Sequence, residues 1–533
     1  MKRFSFISYK LSIAIAAIIA LAFASCTRPA VPDSYAMQSR QPYIMPDYTE
    51  VTIPCNLCPT NFMVTEAGKQ AVVRMSAGTT SYTYGDGMKV MIDPDEWETL
   101  KHKSLAGSIK VEVFVKTDHE WNAYKPFSIY VAADSIDPYI SYRLIPPSYV
   151  NYNHLTLAQR NLTTFDETTF YDNRPFSNAD EGQCVNCHSY QNYHTSHMLF
   201  HMRQNNPGTL IVDGDHVKRI NLKTDSTISA GVYPSWHPTL PLIAFSTDLT
   251  GQTFHTKDIA KIEVQDLESD LILYDLGHNS ISTISALPDE LEVFPTWSAD
   301  GHTLYYCSAH FAYESDSTRE YELITRYKDI RYNIYSRSFD PATHSFGEPH
   351  LVFNADSLNQ SATLPRTSPD GRHMVFALAP WGCFHVWHPE ADIYIIDLNT
   401  MQAQPMTAIN SNRSESYPSF SSNGRWIMTA SRRDDGNYTR PYIAYFDAQG
   451  TCHKPFELPQ LDPYHYIYCL NSYNRPEFMI EPVPYTADEF AKHARQQVIR
   501  ATYNGQQPTD TITTDDTQYD GKSTTFTRLS ETS

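Results

Sequence analysis

PSWHPTLPLIAF (234–245), PTWSADGHTLYY (295–306), PRTSPDGRHMVF (365–376) and PSFSSNGRWIMT (418–429) align without gaps, at spacings of 61, 70 and 53 residues. Self-similarity at such periods marks a repeat architecture and has to be recognised before anything else. Three of the copies carry Asp-Gly or Asn-Gly at one offset: Asp300-Gly301, Asp370-Gly371 and Asn423-Gly424. Such pairs supply the positive φ angles of a tight hairpin. The first copy has Thr239-Leu240-Pro241 there instead. A further strand-like run follows each hairpin: DLILYDL, YNIYSRSF, ADIYIIDL and PYIAYF. Each repeat therefore predicts one four-stranded antiparallel sheet, and radial repetition of such sheets is a β-propeller. Strands at 208–222 are expected to complete a blade with strands near 456–475. This closes a ring of five to six blades over 207–480.

Outward from the repeats, the fold class is all-β. Residues 45–140 hold alternating runs (AVVRM, SYTYG, KVMI, SIKVEVFVK, FSIYVAA) that predict an N-terminal β-sandwich, with PDEWETLK as a short helix on its edge. Residues 26–44 are rich in Pro, Ser and Gln and predict a tether. Residues 1–25 combine Lys2, Arg3 and Lys10 with an apolar run from Leu11 to Ala24, which is the pattern of a secretory signal. Cys26 follows as the expected site of lipidation. Residues 481–503 predict a helix that opens on a Thr486/Glu489 capping box. Residues 504–533 predict a disordered tail.

Between sandwich and ring, residues 141–206 lose the alternation and predict an irregular segment. It contains Cys184-Val185-Asn186-Cys187-His188, the C-x-x-C-H pattern of c-type haem attachment. On this expectation Cys184 and Cys187 carry thioethers to a covalent haem c and His188 supplies the proximal nitrogen. HTSHMLFHMR then offers distal ligands: His201 first, Met202 and Met198 behind it, with His194 and His197 nearby. Arg203 is a candidate partner for a propionate. The competing assignments are a disulfide between Cys184 and Cys187, or zinc shared with Cys55 and Cys58. The latter pair lies more than a hundred residues away, against the usual spacing of zinc knuckles. Cys307, Cys383, Cys452 and Cys469 are scattered, and no connectivity follows from sequence. His385 and His388, near Glu390 and Asp392, form a weak metal pair.

The net charge is −19, and −22 once the three cations of residues 1–25 are removed. No basic stripe interleaved with aromatics is present, which excludes nucleic acid as the expected partner. No nucleophile elbow, phosphate loop or dinucleotide fingerprint occurs, so no enzyme class is assigned.

The repeats resemble TolB-type propeller repeats, whose blades open Pro-Ser-Trp-Ser-Pro-Asp-Gly. The wider chain resembles Bacteroidetes TolB-like lipoproteins, often labelled cytochrome c biosynthesis-related. YISYRLIPPSYV, RNLTTFDETTFYDNRP, CVNCHSY, MLFHMR, WHPEADIYIIDL and SRRDDGNYTRPYIAYFD carry that resemblance. It implies a β domain, a haem-bearing segment and a propeller, in that order, and supplies no activity. The expected function is that of a lipid-anchored monohaem c-type protein on the periplasmic face of the outer membrane. The haem transfers electrons, and the propeller docks an envelope protein partner. The alternative is a non-haem TolB-like envelope scaffold or binding lipoprotein.

Overall fold

The computed structural model describes residues 28–147, 154–177, 182–255 and 259–504, with the backbone of 526 and 527. The expected signal, Cys26 and nearly all of the expected tail lie outside the described residues. The chain divides into two compact units.

The smaller unit takes residues up to 55, then 59–133 and 459–465. Its main sheet has seven strands and includes Gln70–Ala77, Gly107–Lys116 and Phe127–Val131, and a second sheet has three. The alternating pattern of Gly107–Lys116 is half-buried as its sequence requires: Ile109, Val111 and Val113 face inward. Helix Pro94–Lys103 is capped by the Asp93 carboxylate, which accepts from the Asp95 and Glu96 amides, and it buries Trp97 and Leu100. The expected tether is not free. Ala36–Met37 pairs with the strand Trp121–Ala123, and Ile44–Met45 pairs with Phe62–Val64. Arg40 holds Glu66 through two bonds of 2.6 and 2.7 Å while stacking on Tyr43. A fork-shaped cation meeting a carboxylate fixes a segment whose composition alone reads as loop.

The larger unit contains five sheets, one of which has eleven strands because a single parallel pair, Ser269 with Leu291, joins two blade-like parts, so that six mainly antiparallel sets of strands are distinguished. Their first strands are β1 (Gln183–Gln191), β2 (Gly231–Trp236), β3 (Glu290–Trp297), β4 (Ser361–Thr367), β5 (Glu415–Phe420) and β6 (Ser472–Met479). Each of β1 to β5 runs outward into the next three strands of sequence. β6 instead pairs with Tyr139–Ile145, which leads to Thr156–Asn161 and Glu167–Asp172. The six first strands touch in a closed cycle: β1 to β2, and so on to β6, which returns to β1. This is an all-β, propeller-type arrangement.

Three expectations are corrected here. Residues 141–206 are largely strand, forming most of the sheet that β6 closes and half of the sheet that β1 opens. Strands Gly208–Asp213 and His216–Asn221 complete the sheet of β1, not one built from 456–475. The C-terminal helix is Ala487–Ala494 only, with the capping box in place, and Ile499–Arg500 and Thr502–Tyr503 continue as parallel edge strands. The pattern misled because Tyr, Thr and Asn alternate less cleanly than Val and Ile, although they suit strands buried on both faces.

One backbone device recurs in all six first strands. Cys187, Tyr233, Phe294, Leu364, Tyr417 and Arg475 have φ of 58, 48, 55, 55, 48 and 50°. At each the pairing register slips. These are β-bulges, which bend a strand and stop its pairing with the neighbour. The next residue is Pro234, Pro295, Pro365, Pro418 or Pro476, and in β1 it is His188. A proline costs no ladder bond there, because the bulge has already left that amide out of register.

The hairpin glycines differ in their surroundings. At Gly301, φ is +73° and an added Cβ would lie 2.4 Å from His237 Nε2. At Gly371, φ is +70° and the nearest atom would be 3.7 Å away. Gly371→Ala is therefore expected to cost only the left-handed penalty of roughly 1–2 kcal/mol. Gly301→Ala should cost measurably more, because His237 must also give way. Urea midpoints of the two variants check this, and equal losses would contradict it.

Candidate functional site

The first strand of a sheet faces the axis of the ring, so its side chains decide what lies there. Above the bulges a cavity of about 230 Å³ opens. Cys184, Asn186 and Cys187 of β1 line it, with Arg143, Arg203 and Arg432. An apolar wall comes from Ile262, Val264, Val386 and Trp387, which pack as one cluster. Below the bulge ring a second opening is lined by Trp236, Trp297, Arg366 and Glu477. Between the two, Arg366 and Arg475 both hold the Glu477 carboxylate, the latter at 3.1 Å.

The C-x-x-C-H motif was tested against a haem on this geometry. Cys184 and Cys187 both reach the cavity, and both are free thiols, as are Cys55 and Cys58. His188 is not among the residues lining the cavity. It is buried on the side of the sixth sheet, where Arg143 and Arg475 are its charged neighbours, and the Ser141 and Arg475 backbones bond to it. Burial, and then those two cations, hold its imidazole well below its ordinary value. Its Nε2 has no hydrogen-bond partner, as an iron ligand's would not, but it does not share the space that the two thiols share.

The expected distal ligands are elsewhere too. His201 is opposite Asn186 on the neighbouring strand, with Nδ1 2.9 Å from Thr209 Oγ1. Burial pushes its pKa down to about 3. Met198 and Met202 belong to a packed core with Phe200 and Phe490, and the Tyr171 hydroxyl points at the Met202 sulfur from 3.2 Å. His194 and His197 lie at 3.4 and 3.3 Å from Glu481 and Asp213. Arg203 Nη2 is 3.4 Å from Cys184 Sγ. Among the described residues lining the cavity there is no histidine and no methionine. Iron in this cavity would lack both of the ligand types that c-type haem uses. The residues present do not fit the group.

The pair His385 and His388 is not a metal site with Glu390 and Asp392. His388 Nε2 is 2.9 Å from Glu263 Oε2, and both side chains are buried. Trp381 Nε1 donates to the same oxygen from 3.2 Å. His385 bridges Thr363 Oγ1 and the Gly382 carbonyl, each at 3.0 Å. No group of three metal-ligating side chains occurs among the described residues. A buried carboxylate that meets an imidazole and an indole fixes the loop after the fourth sheet's second strand, with His388 Nδ1 left without a hydrogen-bond partner.

Sequence reasoning missed Asp248, Arg143 and Arg432. Burial, then repulsion from Asp266, pushes Asp248 well above the usual carboxylate range, although Arg203 works against this. Asp266 itself is pushed up to about 6, with the Tyr332 hydroxyl donating to it from 3.0 Å. Arg432 lies 3.4 Å over the Trp387 ring and donates to the Val386 carbonyl. Only the run SRRDDGNYTRPY hinted at it, and that run reads equally as a turn.

No family model matches this chain, and no curated protein matches it. Several solved structures are matched at low identity. Oligogalacturonate lyase in complex with manganese is 11% identical, covering 60% of this chain and 73% of that one at a TM-score of 0.33. Cobalt-substituted Synechocystis ACO is 13% identical, covering 82% and 97% at 0.37. An auxiliary nutrient binding protein from Bacteroides thetaiotaomicron is 12% identical, covering 79% and 100% at 0.31.

Proposed function

We propose that this chain is a haem-free binding protein of the cell envelope, built on a six-bladed propeller of the TolB type and tethered by lipid at Cys26. The electron-transfer alternative needs the C-x-x-C-H pattern to be a haem site. One observation carries the choice against it: Cys187-His188-Ser189-Tyr190 occupies the place of Tyr233-Pro234-Ser235-Trp236 and its four later counterparts. Those positions share a bulge residue, a residue outside the ladder and, except at Thr367 of the fourth sheet, an aromatic two positions on. Cys184 and Cys187 line the cavity and His188 does not, whereas thioether attachment needs both thiols and the imidazole to converge on one porphyrin.

An axial cavity in a ring of rigid sheets is a common form of binding site, and function then lies in its lining rather than in the fold. The Cys26 anchor follows from the sequence pattern of residues 1–26, and the periplasmic face of the outer membrane is what the resemblance to TolB-like lipoproteins implies. No helix among the described residues is long and apolar enough to cross a membrane, so a tether is the simplest attachment. An acidic chain of net charge −19 favours basic surfaces as its neighbours.

Three measurements test this. Protein produced in cells competent for haem attachment should show no haem stain after denaturing electrophoresis and no Soret band. A covalent haem would overturn the proposal. His188→Pro should fold with a melting temperature within a few degrees of wild type, since five blades already carry proline there. Collapse of that variant would contradict the shared-bulge assignment.

The third concerns His201. Its folded pKa of about 3 lies below the usual histidine value, so the unfolded chain takes up a proton first as pH falls. The stability that neutral His201 contributes is complete above about 6.5 and is lost toward 3, at about 1.4 kcal/mol per pH unit. His201→Gln has no such loss. The stability gap between wild type and variant should therefore narrow by about 2 kcal/mol between pH 6.5 and 5. A gap that stays constant would show His201 to be less buried than described.

A further inference from the structure

We infer that the upper axial cavity binds a small organic anion with a flat apolar body, a carboxylate or phosphate on a single ring being the shared chemistry. This rests on the haem-free reading above and adds to it the class of ligand.

The argument starts from charge. Acidic residues outnumber Lys and Arg across the chain, 60 to 41. The cavity reverses this: Arg143, Arg203 and Arg432 line it, and Asp248 is its one acidic residue among those described. Asp248 is held toward its neutral form by burial, so it offsets little of that positive charge. The three guanidinium groups come from three different sheets: Arg143 lies in Tyr139–Ile145, the strand that pairs with β6, Arg203 in the second strand of the first sheet, and Arg432 just after the second strand of the fifth.

They are also held in place. Arg143 Nη1 donates to the Val185 carbonyl at 2.9 Å, and it has no carboxylate within ion-pair distance among the described residues. Arg432 Nε donates to the Val386 carbonyl at 2.7 Å, and Nη1 donates to the Asn437 carbonyl. A guanidinium fixed by backbone carbonyls keeps its full charge, because a carbonyl neutralises nothing. Cations converging in a partly desolvated cleft raise the local potential for an anion well beyond its value in water. Arginine's planar fork suits carboxylate and phosphate oxygens in particular.

The remainder of the lining selects the body of the ligand. Ile262, Val264, Val386 and Trp387 make one wall, with Phe384 packed against them. Tyr438 and Gln252 add polar atoms, and Gln252 Oε1 is buried without a partner. An apolar wall beside cations and a buried acceptor fits a ring that bears an acid and a hydrogen-bond donor. The volume of about 230 Å³ is enough for a single ring.

Calorimetric titration of the full chain with benzoate, phenyl phosphate, 4-hydroxybenzoate, benzamide and inorganic phosphate tests this. The ring-bearing anions should bind, and 4-hydroxybenzoate should bind more tightly than benzoate. Benzamide, neutral and of the same shape, should bind at least tenfold more weakly. Benzoate against phenyl phosphate separates the two sources of the anion. Arg203→Gln should weaken benzoate at least tenfold with benzamide unchanged. If that variant does not fold, the benzoate-to-benzamide ratio on wild type still decides. Equal binding of benzoate and benzamide, binding of inorganic phosphate alone, or no binding by any probe would each overturn the inference. A haem-bearing sample would instead sink the reading beneath it.

Discussion

Ring closure is the constraint on which the larger unit depends. The strand Ser472–Met479 pairs with Tyr139–Ile145 across more than 300 residues of sequence. A sheet left open would present two edges with unpaired amides and carbonyls, and radial repetition leaves only short, protected ones. The six bulges make this possible, since a straight first strand would carry its pairing through the axis and collide with its neighbours. With the strands bent, polar side chains tie one sheet to the next. Trp297 Nε1 donates to the Ser235 carbonyl at 3.2 Å, and Thr367 Oγ1 donates to the Trp297 carbonyl at 2.7 Å. Gln191 reaches the His237 and Leu240 carbonyls in the same way.

On the haem-free reading proposed above, the same constraint accounts for the C-x-x-C-H pattern. The ring fixes the backbone at 187 and excludes residue 188 from the ladder. Proline is favoured at that point but not obligatory, because a residue with no ladder bond to make can carry any side chain that its surroundings tolerate. Histidine there is tolerated as a neutral imidazole among backbone carbonyls. Its unpaired Nε2 marks a modest loss relative to proline, of the kind a large unit can carry. Cys187 stands where the other sheets place Tyr, Phe, Leu or Arg, so the axis accepts side chains of every polarity at this level.

Much of the ring was legible in the sequence, and the reasons for the rest are physical. The three copies with Asp-Gly or Asn-Gly announced their hairpins, because only certain residues accept those backbone angles. The copy at Pro234 was found through its Trp and Pro. The opening at Cys187 lacked both the proline and the Asp-Gly, and a rarer pattern overlay it. The opening at Arg475 lacked a hairpin altogether, because its partner strand lies at the other end of the unit. Cysteine spacing is a local signal, whereas convergence of side chains is not. Nothing in FHVWHPEAD indicates that His388 meets Glu263, 125 residues earlier. Likewise Arg143, Arg203 and Arg432 are unremarkable singly and become a site only when three sheets bring them together.

That convergence sets the electrostatic character of the axis. The exterior is acidic, and the interior of the ring holds guanidinium groups at two levels, in the upper cavity and around Glu477. At the lower level two arginines share one carboxylate, which leaves a cation in excess in a narrow passage. At the upper level the surplus is larger, because Asp248 gives up its charge under burial. A long-range field that repels anions outside and a short-range one that holds them inside favour selectivity over speed of capture, since only a ligand able to replace its water with several guanidinium bonds gains on entering. On the proposed anion-binding reading, the acidic surface works as a filter against weakly bound anions, and the arginines decide which of those that pass remain.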